Sequence, residues 1–284
     1  MAGLGRFCRR KPLGAIGGLI VLALIVLALF AGGIAPYPYD EPIAGARLRP
    51  PSAQFWMGTD NLGRDMWSRV VYGARVSVTV GFGAVLLGIF LATIIGVTSG
   101  YFAGRYDIVV QRVVDAWQSF PFLVITLSLM AVLGPGQLNV ILALGVVGAA
   151  GASRVIRGAT IGVAHNPYVE AARALGCGHL RILVRYVLPN VAATVIILAT
   201  IGLGGAILAE SALSFLGFGV PPPYPSWGAM LSGSGRSYMY QAPWMALWPG
   251  AAISLAVYGF NMLGDALRDV LDPRLRGGGG RPTR

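Results

Sequence analysis

Residues 76–104 read VSVTVGFGAVLLGIFLATIIGVTSGYFAG, a stretch without one Asp, Glu, Lys or Arg. About 20 apolar residues in α-helix span the hydrocarbon core of a bilayer, and lipid offers no partner for an unpaired backbone N–H or C=O. This stretch therefore predicts a membrane-crossing helix. Working outward, four more charge-free stretches appear: Pro12 to Tyr39 with its apolar centre at Leu13 to Ala31, Ala116 to Ser153, Tyr186 to Ala209 and Ser237 to Gly264. Ala116 to Ser153 is long enough for two helices, and Gly134-Pro135-Gly136 in its middle predicts a very short turn between them. Six spans follow, at 13–33, 77–100, 117–133, 138–157, 190–209 and 245–264. Arg6, Arg9, Arg10 and Lys11 before the first span could also describe the basic end of a signal peptide. The apolar run is too long for one and no small-x-small cleavage site follows, so an uncleaved helix is expected.

Composition agrees. Of 284 residues 55% are hydrophobic and 12% charged, with a mean hydropathy of +0.68, too apolar for a soluble domain of this size. The net charge of +11 would raise the question of nucleic acid in a soluble protein. Here position answers it, because Lys and Arg are retained on the cytoplasmic side. With the N-terminus inside, the inner segments hold Arg6, Arg9, Arg10, Lys11, Arg105, Arg112, Arg154, Arg157, Arg173, Arg181, Arg185, Arg268, Arg274, Arg276, Arg281 and Arg284, which leaves six basic residues outside. Both termini are expected in the cytoplasm and no nucleic-acid partner is needed. The first outer loop, with Arg47, Arg49, Arg64, Arg69 and Arg75, resists this pattern; Asp40, Glu41, Asp60 and Asp65 offset it locally.

Small-xxx-small spacings at Gly14/Gly18 and Gly96/Gly100/Gly104 predict close helix packing in lipid. Trp227, Trp244, Trp248, Tyr238 and Tyr240 predict an interfacial aromatic belt. Cys8 and Cys177 are too few for a disulfide framework and have no metal-ligand neighbours.

Several chemistries lack their residues. A phosphate-cradling loop ends in Gly-Lys-Ser/Thr, yet the sole lysine, Lys11, is followed by Pro12. Ion-coupled carriers place ionisable residues at membrane depth, and the central parts of the six spans hold none. His165 and His179, the two histidines, fall between spans four and five. No catalytic residue, cofactor or metal site is expected in this chain.

The loop between those spans is the most ordered polar segment. Asn166-Pro167 predicts a helix start, with Pro167 at the first position. Tyr168 to Leu175 then makes about two turns with Tyr168, Ala171, Ala172 and Leu175 on one face. Glu170 falls in the first turn, where the helix dipole favours an anion, and Gly176 can take the left-handed stop. A second helix, about Gly178 to Val187, is expected to lead into Leu188-Pro189-Asn190. A short amphipathic helix on the membrane surface would fit the pattern, but the flat Ala-Ala face suits another protein's groove better.

Glu170-Ala171-Ala172, Gly176 and Leu188-Pro189 together resemble the EAA loop of binding-protein-dependent ABC importer permeases. The resemblance extends over nearly the whole chain. Residues 57–65 (MGTDNLGRD), Ser68-Arg69, residues 72–75 (YGAR), residues 210–217 (ESALSFLG), 225–228 (PSWG), 261–265 (NMLGD) and 271–275 (LDPRL) are similar to the C-type permease subunit of dipeptide, oligopeptide and nickel importers. Gly148-Ala149-Ala150-Gly151 departs from a bulkier segment in that family, which bears on the contour of a pore. The resemblance implies an all-α integral membrane protein with the type I ABC importer permease fold and an extra N-terminal helix. It implies a first region 1–75, a permease core 76–271 with a coupling loop at 158–190, and a cytoplasmic tail 272–284. It also implies a B-type homologous permease, two ATPase subunits carrying ATP and Mg, an extracytoplasmic binding protein and a peptide substrate. Tyr168, Glu170, Ala171, Ala172, Gly176, Leu188 and Pro189 would couple to the ATPases. Nickel or another small solute, a carrier working without ATPases, and an assembly factor are the alternatives.

Overall fold

The computed structural model describes residues 11–271 and is helical, with no strand among them. Arg6, Arg9, Arg10, Cys8 and the expected tail at 272–284 lie outside these residues. Helix α1 (Pro12–Leu29) opens with proline at its first turn and continues through a short turn, Ala31–Ile34. Helix α2 (Met66–Phe102) contains the decisive stretch as far as Phe102 and begins three turns earlier than expected. The reason is Asp65, whose Oδ2 accepts hydrogen bonds from the Ser68 backbone N–H at 2.8 Å and hydroxyl at 2.7 Å, so the helix is capped well before the apolar run. Arginines in that early part reach back to the chain: Arg69 donates to the Tyr39 carbonyl at 2.8 Å and Arg75 to the Ala28 carbonyl at 3.0 Å.

The third span differs from the expected continuous helix at 117–133. Helix α3 (Gly104–Gln118) and helix α4 (Phe122–Leu133) meet at an 87° bend. Pro121 forces it, because proline drives the residue before it out of helical geometry. At 12 residues, α4 is about 18 Å long, short of the ~30 Å hydrocarbon core. An absence of charge marked the depth of this segment but not its break. The glycine turn stands as expected: Gly134 and Gly136 take positive φ, and the Asn139 amide donates to the Leu133 carbonyl at 2.8 Å.

Helix α5 (Gln137–Ala164) runs two turns past its expected end because Arg154 and Arg157 are paired with Asp115 and Asp107 of α3. Helix α6 (Pro167–Ala174) forms where the Asn-Pro signal puts it. The expected separate helix at 178–187 is instead the start of α7 (His179–Phe215). A proline inside a helix removes one hydrogen bond and collides with the carbonyl four residues back. The wider π-turn at Leu183–Val187, just before Pro189, lets the helix run through. Helix α8 (Trp227–Leu231) is capped by Ser226, and α9 (Trp244–Leu271) closes the bundle. Among the described residues five helices are long and apolar enough to cross a membrane, and α3 with α4 make a sixth span if the bent pair is counted as one.

α2 and α5 pack along most of their length, α1 lies on α9, and α7 fills the space between α2 and α9. The α2/α5 seam is closed by glycine, as lipid-embedded helices require when dispersion rather than water drives association. A Cβ on Gly96 would stand 2.6 Å from the Ser153 carbonyl oxygen, and one on Gly100 would stand 2.8 Å from that of Arg157. Gly104, the third of that series, instead makes the positive-φ turn into α3. On α1 the close approach falls at Gly17, where a Cβ would be 2.8 Å from the Gly259 oxygen, rather than at Gly18. Gly96→Ala is expected to destabilise the purified chain by about 1–3 kcal/mol, the usual cost of overpacking. Gly205→Ala, where nothing lies within 4 Å of the new Cβ, is expected to be near neutral. Thermal unfolding in detergent compares the two, and equal midpoints would show that the seam is loose.

Two members of the expected aromatic belt serve packing instead. Trp227 is buried against Gly73 and donates its indole N–H to the Val70 carbonyl at 2.9 Å, while Trp244 donates to the Thr59 carbonyl at 3.0 Å. Trp227 ties α8 to α2 and Trp244 ties the start of α9 to the segment before α2, which together make one cap. Tyr240 remains exposed, in keeping with a belt position.

Candidate coupling helix and central cavity

Helix α6 lies at the end of the bundle opposite that cap. Val169 and Ala172 are buried against Ala164, Ile182 and Val187. Glu170, Ala171 and Leu175 are exposed, Leu175 by 84%, and Tyr168 is 41% exposed. The expected single face is thus divided. Ala172 turns inward because Val169, one turn before it, is the larger apolar residue and sets which stripe of this short helix meets the core. Gly176 has φ of +76° and open space around it, so backbone conformation and not crowding selects glycine there. The Cys177 N–H donates to the Ala172 carbonyl at 3.0 Å, which closes the helix end.

The tie that holds α6 was not expected. Arg173 stands 4.8 Å over the ring of Tyr101, whose hydroxyl is 3.0 Å from His179 Nδ1. One cation–π contact and one hydrogen bond so join α6, the end of α2 and the start of α7. The sequence placed His179 between spans four and five but gave no sign of its partner Tyr101. Leu188 and Pro189 lie farther on in α7, beyond the π-turn, both exposed. They belong to the helix that α6 leads into, not to the α6 surface itself.

A second unforeseen feature lies beside it. Asp107 of α3 accepts from Arg157 of α5 and from the Ser99 hydroxyl of α2, and Asp115 accepts from Arg154. These residues contribute to the charge asymmetry, and they also fasten the α3 elbow to α5.

Between the two ends, α2, α4, α5 and α7 surround a cavity of about 350 Å³. Its lining includes Gly88, Phe122, Gly148, Ala152, Gly202 and Gly205, with no titratable side chain among the described residues. Gly148 comes from the stretch whose small residues were expected to alter a pore contour, and Ala152 follows directly on that stretch. Glu210 lies one residue beyond Ala209 of the lining, fully buried, and accepts from the Ser214 hydroxyl at 2.7 Å and the Ser77 hydroxyl at 3.3 Å. It lies just past the expected end of span five, inside the observed helix.

A bundle of long apolar helices with a broken third span, a surface helix at one end and an uncharged central cavity defines a membrane permease. The chain belongs to the family described as binding-protein-dependent transport system inner membrane component, which it matches over residues 76–277. Residues 5–51 match the N-terminal transmembrane domain of oligopeptide transport permease C. Relatives include the dipeptide transport system permease protein DppC of Alkalihalophilus pseudofirmus, 40% identical over 94% of this chain and 88% of that one. The di/tripeptide permease DppC of Pseudomonas aeruginosa is 40% identical over 93% of this chain and 89% of its own length. The glutathione permease GsiD of Escherichia coli O157:H7 is 39% identical over 95% and 89%. Among solved structures, the inward-facing MetNI methionine ABC transporter superposes with a TM-score of 0.58 at 18% identity, over 73% of this chain and 97% of that one, and supports the fold. The chain is therefore an ABC-importer-type permease, embedded in a membrane and not itself catalytic.

Proposed function

We propose that this chain is one of two permease subunits of an ATP-driven importer of short peptides. The observation that carries the reading is α6: an exposed surface helix, fixed to the core by Val169, Ala172 and the Arg173–Tyr101–His179 contacts, that continues into a cavity-lining helix. A force on α6 then moves α7, so the cavity can open to either side as two ATPase subunits close and part. Each state must differ in contact energy for ATP to shift their populations. ATP and Mg reside on those ATPase subunits, and an extracytoplasmic binding protein delivers the peptide. The second permease, a B-type homologue, completes the wall of the path. The names of the relatives favour a peptide over nickel or another small solute, and the uncharged lining favours a path that is driven from outside the chain over an ion-coupled carrier.

The test is reconstitution. The purified chain alone is expected to move no peptide, and the complex with its second permease and ATPases to accumulate it when ATP is supplied. Accumulation by the chain alone on an ion gradient would establish the carrier reading.

Sidedness has its own test. The α6 end is assigned to the cytoplasm, with both termini, and the cap to the outside, because basic residues concentrate at the α6 end. In a chain with Cys8 and Cys177 replaced, single cysteines at Ser52 and Ser232 are expected to react with an impermeant reagent on intact cells. One at Thr283 should react only after lysis. The opposite result at Ser232 and Thr283 would invert the topology, whereas silence at Ser52 alone would move only the arginine-rich first loop.

A further inference from the structure

The cap holds a second cavity, of about 290 Å³, that transport through the bundle does not use. Tyr37, Gln54, Trp56, Asp65 and Trp67 are among its walls. The Trp56 and Trp67 rings stand 5.7 Å apart at 50° to one another, two indoles in one wall set at an angle rather than stacked. Asp65 is 1% exposed. Its Oδ2 is committed to capping α2, but its Oδ1 has no hydrogen-bond partner among the described residues. The Trp67 Nε1–H is also buried without an acceptor among the described residues. Buried polar atoms are nearly always paired, so a carboxylate oxygen and an indole N–H left over on two residues that line one cavity are unusual. The arginines closest in sequence, Arg64 and Arg69, are both engaged by Asp60, and no ion pair neutralises Asp65 among the described residues.

We propose that this cavity binds a primary ammonium group with an oxygen acceptor a few bonds away. The ammonium donates to Asp65 Oδ1 and is held by the indole faces, whose quadrupoles attract cations, Trp most strongly. The neighbouring oxygen accepts from Trp67 Nε1–H. Two sources carry this chemistry. The amino terminus of a peptide has its first carbonyl two bonds from the nitrogen, and the ethanolamine headgroup of a phospholipid has its phosphate ester oxygen at a similar distance. Pro36 and Tyr37 follow directly on the turn that ends the first span, which places the cavity near the level of lipid headgroups. The helix N-terminus at Met66 disfavours a cation by itself; the unpaired carboxylate oxygen is what reverses that preference.

The purified full chain is placed in phosphatidylglycerol nanodiscs and its tryptophan fluorescence and thermal midpoint are followed. One arm titrates alanyl-alanine, with N-acetyl-alanyl-alanine as the uncharged control. The other replaces part of the lipid by phosphatidylethanolamine, with phosphatidylcholine as the control that lacks N–H donors. A response to alanyl-alanine identifies the free amino terminus, and a response to phosphatidylethanolamine identifies the headgroup. In either case Asp65→Asn is expected to weaken it by about tenfold or more through loss of the charge-assisted bond. Asparagine caps helices about as well as aspartate, so α2 is expected to stay intact. Trp67→Phe keeps an aromatic wall, removes the N–H and is expected to weaken the response by a smaller factor. No response in either arm, a response to the acetylated or phosphatidylcholine control, or full responses in both variants would overturn the proposal. Binding here requires neither ATPases nor uptake, so its failure leaves the transport reading intact and the converse also holds.

Discussion

Gly176→Val is expected to abolish peptide uptake by the assembled complex while leaving the bundle folded. Gly176 adopts φ of +76°, a region that costs an L-residue roughly 1–2 kcal/mol, and a β-branched side chain makes the strain worse. Nothing lies within 4 Å of a Cβ placed there, so the substitution meets no clash and its whole effect passes through the backbone. The chain relieves the strain by redirecting residues 175–178, and the exposed face of α6 turns away from whatever it docks against. Gly176→Asn is the decisive companion, because asparagine tolerates the left-handed cap position. It is expected to restore most of the uptake that valine removes. Glu170→Ala removes only a first-turn charge, worth about 0.3–1 kcal/mol at an exposed helix end, and is expected to be mild unless Glu170 itself meets the ATPase. Uptake and ATPase copurification are compared at matched membrane abundance. Wild-type uptake by Gly176→Val would make α6 a passive surface helix and remove it from the coupling path.

What the sequence made legible follows from which forces act locally. Spans, turns and the Pro167 and Gly176 punctuation of α6 are set by a residue and its near neighbours, so charge-free length, Gly134-Pro135-Gly136 and Asn166-Pro167 located them. The broken third span was hidden because an apolar run gives depth but not direction. Pro121 lay inside that run, and its meaning depended on whether the polar α3 before it pairs with α5. The same gap explains the arginines. Arg154 and Arg157 read as topological charge, and only the fold shows them held by Asp115 and Asp107 from residues 39 and 50 positions away. The Tyr101–His179 bond likewise depends on where α2 ends relative to α7. The cavity lining was legible only in part: Gly148 was expected to matter for contour, while Ala152, Gly202 and Gly205 carry no local signal that separates a lining position from a packing one.

Those open glycines lead to the second large effect. Gly148 and Gly205 both line the central cavity, and a Cβ at either would meet nothing within 4 Å. A side chain can therefore start from either position without a clash at its Cβ, unlike one at Gly88, whose Cβ would stand 3.0 Å from the Gly145 oxygen. Gly148→Phe and Gly205→Phe are expected to leave thermal stability and assembly with partners near wild type. If the cavity is this subunit's share of the path, uptake of peptides with large side chains is expected to fall by tenfold or more, equivalent to about 1.4 kcal/mol at the barrier. Small peptides such as alanyl-alanine are expected to suffer less, because a narrowed neutral wall discriminates by width and not by charge. ATP hydrolysis by the assembled complex should persist, since α6 and its contacts are untouched. The measurement is uptake of a peptide series graded in side-chain volume, at matched abundance and with hydrolysis followed in parallel. Equal uptake of the whole series by both variants would place the path elsewhere, on a face of the bundle that the second permease covers.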